Sequence, residues 1–367
     1  MANKALLTNI QICRGMAAAM VVVGHSLQDW NVVASHAGIA TASTAVNWGC
    51  GVNIFFVISG FIMVHVAGAD FGKPGASLQF VFKRFQRIVP SYWLITSVLI
   101  AGSLIAPKLL NEPIGGAWHI LASYLFIPDV RPGLSIVRPV LALGWTLNYE
   151  MLFYLVFAAT MVLPFNKGVV ALTALFATGI ALRMELGIQQ TQIAFWLDPI
   201  VVNFLFGVAI GVAYRDGFRL SGRVAIVLAA CGLFFTALAA PEGSRAATDL
   251  AWLRYGAPAA LLVAAVALGP DVGETRLTRL GVLIGDASYA LYLVHPFVVR
   301  PMREVWTKLG AQNLPAFAYC LACLVVATLV AFAMHRWFEL PVGRALRRCT
   351  PSLPALNASP KTPAPSR

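Results

Sequence analysis

The chain has 367 residues, of which 59% are hydrophobic and 11% are charged, and its mean hydropathy is +0.76. A composition this apolar excludes an ordinary soluble globular protein and is typical of a polytopic membrane protein. The net charge of +12 comes from short basic clusters between apolar segments, so membrane topology explains it without a nucleic-acid partner. The six Cys lack the spacing with His that a zinc site needs, and we expect no metal.

Apolar segments predict an all-α membrane protein with about ten transmembrane helices. These segments lie near residues 10–27, 48–69, 88–106, 141–163, 169–183, 195–214, 224–240, 255–268, 280–299 and 314–336. We expect residues 1–349 to form one integral-membrane domain. The tail at 350–367 is rich in Pro and Ser and is predicted to be disordered and cytoplasmic.

Basic residues set the predicted orientation. With ten spans and a cytoplasmic N-terminus, 18 of the 27 Lys and Arg lie on the cytoplasmic side. The apolar segment at 117–128 is too short to span, and counting it as a span would place the basic C-terminal tail outside. We therefore predict a re-entrant or interfacial segment there, with both termini cytoplasmic. Its Trp118 and His119 could reach an outward-facing sugar, although interfacial anchoring explains the Trp equally well.

The first helix carries Arg14 and His25, with ten apolar or small residues between them. Eleven positions make about three helical turns, so the two side chains share a face and lie roughly 16 Å apart. A cation inside a membrane helix costs about 2.5 to 3.5 kcal/mol, so both groups should face protein or a cavity. This helix would connect an anion-binding end to a proton-handling end. A hydrogen-bonded structural histidine is the alternative for His25.

A basic cluster, KRFQRIVPSYW at 83–93, follows the second predicted span and contains Arg84 and Arg87. Anchoring by the positive-inside rule is enough to explain these residues. The chain has no P-loop or GxGxxG motif in a strand-to-helix context. Any phosphate site would therefore have to be built from such side chains.

The fourth predicted span begins WTLNYEMLFY at 145–154, where Thr146, Glu150 and Tyr154 form a polar stripe. A carboxylate in a membrane helix needs a partner. Glu150 could orient His25, as the acid of a catalytic triad does, bind a sugar, or pair with an Arg of a neighbouring helix. The sequence leaves this partner open.

The ninth predicted span places Ser288, Tyr292 and His295 at i, i+4 and i+7 on one face, with a kink predicted at Pro296. Hydroxyls and an imidazole in this position suit sugar binding or a second proton relay. Hydrogen bonding between helices is the alternative.

In their order and amino-acid sequence, these motifs resemble those of the membrane-bound acyltransferase-3 family. Members of this family carry an Arg, ten residues and a His on the first helix. The agreeing blocks are GVNIFFVISGF at 51–61, KRFQRIVPSYW at 83–93, WTLNYEMLFY at 145–154, SYALYLVHP at 288–296 and ELP at 339–341. The amino-acid sequences of these blocks are most similar to those of the branch that acetylates exopolysaccharides. The chain departs from the family at Asn53, where Asp is usual, so we assign no acid or base role there.

The resemblance implies an inner-membrane O-acyltransferase that moves an acyl group, acetyl in the similar branch, from cytoplasmic acyl-coenzyme A to an extracytoplasmic polysaccharide hydroxyl. The acceptor could be a lipid-linked saccharide. His25 would take the hydroxyl proton, with Glu150 as a second catalytic residue. The coenzyme A phosphates would be held by Arg14, Arg84 and Arg87. The acceptor would be bound by Ser288, Tyr292, His295, Trp118 and His119.

A transporter or flippase of a lipid-linked saccharide is the rival interpretation, since it would also need about ten spans and buried polar stripes. Such folds often show paired halves with broken helices, and the sequence shows no such repeat. Substrate movement without a coenzyme A requirement would favour this rival. A sensor or scaffold with an inactive site is a third interpretation.

Overall fold

The computed structural model describes residues 2–43, 46–105, 114–239 and 250–348. Within these ranges the chain is helical, and its β-structure is limited to one isolated bridge between Val130 and Val137. The all-α prediction is thus confirmed for the described part of the chain. The tail at 350–367, predicted to be disordered, lies outside the described residues.

Helices account for most of the described chain. In chain order they are α1 (Ala2–His36), α2 (Cys50–Ala67), α3 (Ala76–Ile105), α4 (Ala117–Tyr124), α5 (Trp145–Thr160), α6 (Phe165–Glu185), α7 (Thr191–Trp196), α8 (Val202–Arg215), α9 (Gly222–Leu238), α10 (Ala251–Leu268), α11 (Arg276–Asp286), α12 (Ser288–Val294), α13 (Pro296–Lys308), α14 (Ala316–Met334) and α15 (Leu340–Arg347). A π-helical turn, His335–Glu339, joins α14 to α15.

Six helical segments of the described chain are long and apolar enough to cross a membrane. They are Thr8–His36, Cys50–Asp70, Ala76–Ile105, Phe165–Glu185, Thr191–Arg215 and Ala316–Arg347, and the bent pair α11 and α12 makes a seventh if it counts as one span. The predicted number of about ten is not confirmed. One reason is length: α5 has 16 residues and α9 has 17, fewer than the roughly 20 that cross a bilayer core without a break.

Two helix boundaries differ from the prediction in ways that matter for the site. Helix α3 begins at Ala76 and continues through Pro90, so the basic cluster lies on a helix rather than in a connecting loop. The predicted span at 280–299 is divided into α11, α12 and α13. The break predicted at Pro296 is present, because this residue begins α13, and a further 55° bend separates α11 from α12.

Helices α2 and α8 form the most extensive helix pair, and glycines bring their backbones together. A Cβ atom on Gly207 would overlap the carbonyl oxygen of Val57, and one on Gly60 would overlap that of Phe204. Small residues commonly permit such close approach in membrane helices. Gly207 and Gly60 therefore allow α2 and α8 to pack closely.

The amide at position 53 joins the same two helices. Asn203 Nδ2 donates a hydrogen bond to Asn53 Oδ1 at 2.6 Å, and both side chains are buried. A buried polar group without a partner is costly, so the two amides stabilise each other's burial. The position where the family usually has Asp thus serves helix packing in this chain.

Helix α1 lies at the centre of the bundle. It packs against α2, α10, α11, α12, α13 and α14. Its small residues Ala17 and Ala18 are fully buried, as is Val22. Among the polar groups along α1, Ser26 is buried, Arg14 and Asp29 are half-buried, and His25 is solvent-accessible.

Candidate functional site

Arg14, on α1, lines a cavity of about 850 Å³. We call this the basic cavity, because its lining includes Arg14, Lys83, Arg84, Arg87, His335 and Arg347. The predicted cationic residues Arg14, Arg84 and Arg87 are thus brought together from α1 and α3, although the sequence separates them by about seventy positions. Arg347, on α15, was not predicted to join them.

A chain of hydrogen bonds holds Arg14 in place. Its Nη1 donates to Gln11 Oε1 at 2.9 Å, and Gln11 Nε2 donates to Asp286 Oδ1 at 2.6 Å. The Arg14 side chain is therefore tied, through Gln11, to the end of α11. A guanidinium group fixed in this way can bind an anion with little loss of side-chain freedom.

Arg84 is the second guanidinium with a defined environment. Its charge lies 5.6 Å from the centroid of the Phe80 ring. Its Nε is buried without a hydrogen-bond partner within the described residues. A buried donor that is left unpaired carries a penalty of about 1 to 3 kcal/mol, which a bound anion would remove.

A second, smaller cavity of about 210 Å³ adjoins the basic cavity. We call it the central cavity. The two share Gln11, Arg14, Arg84, Arg87 and Tyr289. Much of its wall is apolar and comes from α2, through Val52, Phe55, Phe56, Ile58, Ile62, Met63 and Val66. The guanidinium groups of Arg14, Arg84 and Arg87 thus lie where the charged basic cavity meets the apolar wall of the central cavity.

Glu150 lines the central cavity and not the cavity at His25. It accepts hydrogen bonds from Ser59 at 2.9 Å and from the Tyr154 hydroxyl. The partner that the sequence left open is therefore a pair of hydroxyl groups, and Glu150 shares the cavity with the guanidinium groups of Arg14 and Arg84. Within the described residues, Glu150 makes no hydrogen bond to His25 and therefore does not orient it directly.

His25 lines a third cavity, of about 180 Å³, beyond the other end of the central cavity. We call it the histidine cavity. Its polar lining consists of His25, Gln28, Asp29, His295 and Arg300. Burial lowers the pKa of Arg300 below its ordinary value, while the nearby Asp29 carboxylate favours its charged form.

Local geometry fixes which nitrogen of His25 can act as a base. His25 Nδ1 lies 2.9 Å from the carbonyl oxygen of Val21, one turn earlier on α1. A carbonyl oxygen can only accept, so Nδ1 carries the proton in this hydrogen bond. In the neutral ring, Nε2 is then left with a free lone pair, which is the requirement for a general base.

His295 stands next to His25, with 5.0 Å between the ring centroids. Its side chain is fully buried, and its Nδ1 lies 3.3 Å from the Leu291 carbonyl oxygen. Its Nε2 is buried without a hydrogen-bond partner within the described residues. The predicted residue His295 is therefore placed at the same cavity as His25, from a different part of the chain.

A thin wall separates the central cavity from the histidine cavity. The Leu143 carbonyl accepts hydrogen bonds from Tyr292 at 3.0 Å and from Thr146 at 3.1 Å, and the two hydroxyls lie 2.9 Å apart. Thr146 and Tyr292 face the central cavity, whereas Leu143 lines the histidine cavity. The Tyr292 ring is 6.2 Å from the His295 ring. Tyr292 is thus placed between the two ends of the site.

Three of the predicted acceptor-binding residues lie away from these cavities. Ser288 is fully buried, and its hydroxyl has no hydrogen-bond partner in the described chain; its neighbour Tyr289 lines the central cavity instead. Trp118 is half exposed on α4, and His119 Nδ1 lies 2.8 Å from Asp129. Neither residue is among those that line the three cavities.

Asp29 and Arg300 were missed at the level of the sequence, although both line the histidine cavity. The sequence could have indicated Asp29 as a site residue, because Asp29 follows His25 by four positions and thus shares its helix face. Nothing in the sequence indicated Arg300 as a site residue. It lies on α13, which begins at Pro296, and the direction of this helix depends on the break there.

A bundle of apolar helices with guanidinium groups at one end and a pair of imidazoles at the other has the parts of a membrane-embedded transferase. The chain belongs to the acyltransferase-3 family: the family model described as an acyltransferase domain matches residues 7–336. It is an O-acyltransferase, in agreement with the names of its curated relatives. Its apolar helices and its family make it a multi-pass membrane protein.

Three relatives show the range of the family around this chain. Exopolysaccharide production protein ExoZ of Rhizobium meliloti (strain 1021) is 34% identical over 87% of this chain and 97% of its own. Acyltransferase MdmB of Streptomyces mycarofaciens is 27% identical over 95% of each chain. Peptidoglycan O-acetyltransferase OatA of Listeria monocytogenes serovar 1/2a (strain ATCC BAA-679 / EGD-e) is 22% identical over 80% of this chain and 51% of its own. No solved structure matches the chain.

Proposed function

We propose that this acyltransferase moves an acetyl group from acetyl-coenzyme A to a hydroxyl group of an exopolysaccharide across the bacterial inner membrane. In this proposal, the basic cavity and both chain termini face the cytoplasm, and the histidine cavity faces the opposite side. The observation that carries the proposal is that Arg14 and His25, three turns apart on α1, line separate cavities, and that the central cavity extends from Arg14 to Thr146 and Tyr292 beside the histidine cavity.

The basic and central cavities fit the two chemically different parts of such a donor. Guanidinium groups bind phosphates through paired hydrogen bonds, and Arg84 has a buried Nε without a partner in the described chain. The central cavity continues from these groups with an apolar wall from α2. We assign Arg14, Arg84 and Arg87 to the phosphates and the α2 wall to the thin arm that carries the thioester.

In the proposed reaction, Nε2 of His25 takes the proton of the acceptor hydroxyl while the hydroxyl oxygen attacks the acyl carbon. The carbon–oxygen ester bond forms, the carbon–sulfur bond breaks, and the proton then passes to the departing thiolate. A general base in this position contributes about 10² to 10⁴-fold to the rate. The thioester supplies the leaving group, so the proposal does not require a metal ion.

The wall formed by Tyr292 and Thr146 has to open during the proposed reaction. Two hydroxyl groups, those of Thr146 and Tyr292, close the central cavity by bonding to the Leu143 carbonyl. The acyl group has to pass this point to reach His25. We propose that the Tyr292 side chain moves aside during transfer and otherwise keeps water from the thioester.

Glu150 has a different role in this proposal from that of a catalytic acid or base. Its hydrogen bonds go to Ser59 and Tyr154 at the side of the central cavity. A carboxylate among guanidinium groups lowers the repulsion between them. We propose that Glu150 holds Arg14 and Arg84 in the arrangement that binds the donor.

The choice of acceptor rests on the relatives. ExoZ is named for exopolysaccharide production and OatA for acetylation of peptidoglycan, and both cover most of this chain. The greater similarity is to ExoZ, so we propose an exopolysaccharide, either as the polymer or as its lipid-linked precursor.

Transfer of labelled acetyl from acetyl-coenzyme A to polysaccharide tests this function. Membranes that contain the chain should place the label in the cell-envelope polysaccharide fraction, in an alkali-labile ester, whereas control membranes should not. With expression verified, absence of label from acetyl-coenzyme A would contradict acetyl transfer. Movement of a lipid-linked saccharide without coenzyme A would instead support a transporter.

A further inference from the structure

Asp29 is the acidic residue among those that line the histidine cavity. It follows His25 by one helical turn on α1, so the Cβ atoms of the two residues are about 5 to 6 Å apart. Neither the family motif nor the polar stripes of the sequence includes this residue. Its position next to the proposed base raises the question of what its carboxylate binds.

The two oxygens of this carboxylate have different surroundings. Oδ1 lies 4.0 Å from Nη1 of Arg303 on α13. Oδ2 is buried and has no hydrogen-bond partner within the described residues. A carboxylate oxygen that is removed from water without a hydrogen bond is strongly destabilising, so a bound group that donates a hydrogen bond would relieve this penalty.

The cavity also fixes what kind of group can bind. Nδ1 of His25 donates to Val21, so Asp29 does not orient the imidazole through that nitrogen. Arg300, a residue type that donates hydrogen bonds and accepts none, lines the same cavity. A hydrogen-bond acceptor one helical turn from a base matches neighbouring hydroxyl groups of one sugar ring.

We propose that Asp29 binds the acceptor saccharide by accepting a hydrogen bond from the hydroxyl next to the one that is acylated. Asp29 thereby selects which hydroxyl reaches Nε2 of His25. This inference rests on the proposed function and extends it from the reaction to the choice of position on the sugar. Asp29 is a specificity-determining residue in this account, and His25 remains the base.

The test uses the full-length chain in membranes, with the envelope polysaccharide fraction as acceptor and labelled acetyl-coenzyme A as donor. The variants are Asp29→Asn, which keeps the side-chain size, and Asp29→Ala. The matched control is Glu304→Gln, which removes a carboxylate 3.7 Å from the same Arg303 but does not line the cavity. For each protein the KM values for polysaccharide and acetyl-coenzyme A are measured. The acetylated position is determined by NMR, and hydrolysis of acetyl-coenzyme A is followed without acceptor.

The proposal predicts that both Asp29 variants raise the KM for polysaccharide by about tenfold or more, as expected for the loss of a hydrogen bond to a charged group. The product should carry acetyl at more than one hydroxyl. The KM for acetyl-coenzyme A should stay within about twofold of the wild type, as should all values for Glu304→Gln.

Two results would overturn the role of Asp29. One is an unchanged KM for polysaccharide with an unchanged position of acetylation. The other is a parallel fall in acetyl-coenzyme A hydrolysis, which would mean that Asp29 acts on His25 rather than on the acceptor. Lack of transfer by the wild-type protein would be a different failure, since it would count against the proposed function itself.

Discussion

His25 and His295 lie next to each other at the histidine cavity, with ring centroids 5.0 Å apart and ring planes inclined by 46°. Each ring has its Nδ1 next to the carbonyl oxygen four residues earlier, at Val21 and at Leu291. In the neutral rings, both Nε2 atoms are therefore acceptors. Two distant segments of the chain thus bring a buried and a solvent-accessible imidazole together at one cavity.

The first prediction concerns the second imidazole. In His295→Phe the ring keeps its packing against His25 and loses its nitrogens, so we expect kcat for acetyl transfer to fall about tenfold or more while the protein remains folded. Rates and size-exclusion profiles in detergent check this. His65→Phe is the matched control, because His65 stacks on Phe61 away from the three cavities. Full activity of His295→Phe would remove this ring from the reaction.

The second prediction concerns the basic cavity. Replacing Arg84 or Arg87 by Ala should raise the KM for acetyl-coenzyme A by about 10 to 100-fold, because each hydrogen bond to a charged group contributes about 1.5 to 3 kcal/mol. The KM for polysaccharide should not change. Lys73→Ala serves as control, since Lys73 pairs with Asp70 at an exposed position. Equal effects on the two KM values would contradict a donor site at these residues.

The third prediction concerns the wall between the cavities. Tyr292→Phe removes the hydroxyl that bonds to Leu143 and Thr146. With the wall weakened, water should reach the thioester more often, so acetyl-coenzyme A hydrolysis without acceptor should increase several-fold. Tyr289→Phe is the control, because Tyr289 donates to Ile88 at the other end of the central cavity. Unchanged hydrolysis in Tyr292→Phe would argue against the wall as a barrier.

The fourth prediction concerns the packing of α2 against α8. A methyl group at Gly207 would overlap the Val57 carbonyl, so Gly207→Ala should destabilise the protein by about 1 to 3 kcal/mol. Thermal unfolding in detergent measures this. In Gly222→Ala the new methyl meets only Pro270, at 3.7 Å, and the unfolding temperature should change little. Equal tolerance of both changes would show that the helices can move apart without cost.

The sequence predicted the elements whose burial has a strong physical reason. Arg14 and His25 are costly in lipid, so their spacing on one apolar helix was enough to predict that they face the interior. The structure agrees, with α1 at the centre of the bundle and both residues lining cavities. The break at Pro296 was predictable for a similar reason, because proline cannot donate a helical hydrogen bond.

The sequence could not predict features that depend on contacts between distant segments. Glu150 bonds to Ser59, 91 positions away, and in the sequence this Ser resembles a small packing residue. The 55° bend between α11 and α12 has no proline to indicate it. Segments such as α5 are apolar yet short, so hydropathy alone could not decide how many of them cross the membrane.

The central claim is that the donor is bound near Arg14, that the acceptor is bound near His25, and that His25 takes the proton of the acceptor hydroxyl during transfer. Reconstituted vesicles test it, with labelled acetyl-coenzyme A sealed on the Arg14 side and polysaccharide on the His25 side. We predict labelled polysaccharide outside the vesicles with the wild type and at least about 100-fold less with His25→Ala. Label that persists in His25→Ala, or that forms only when both substrates share one side, would contradict the account.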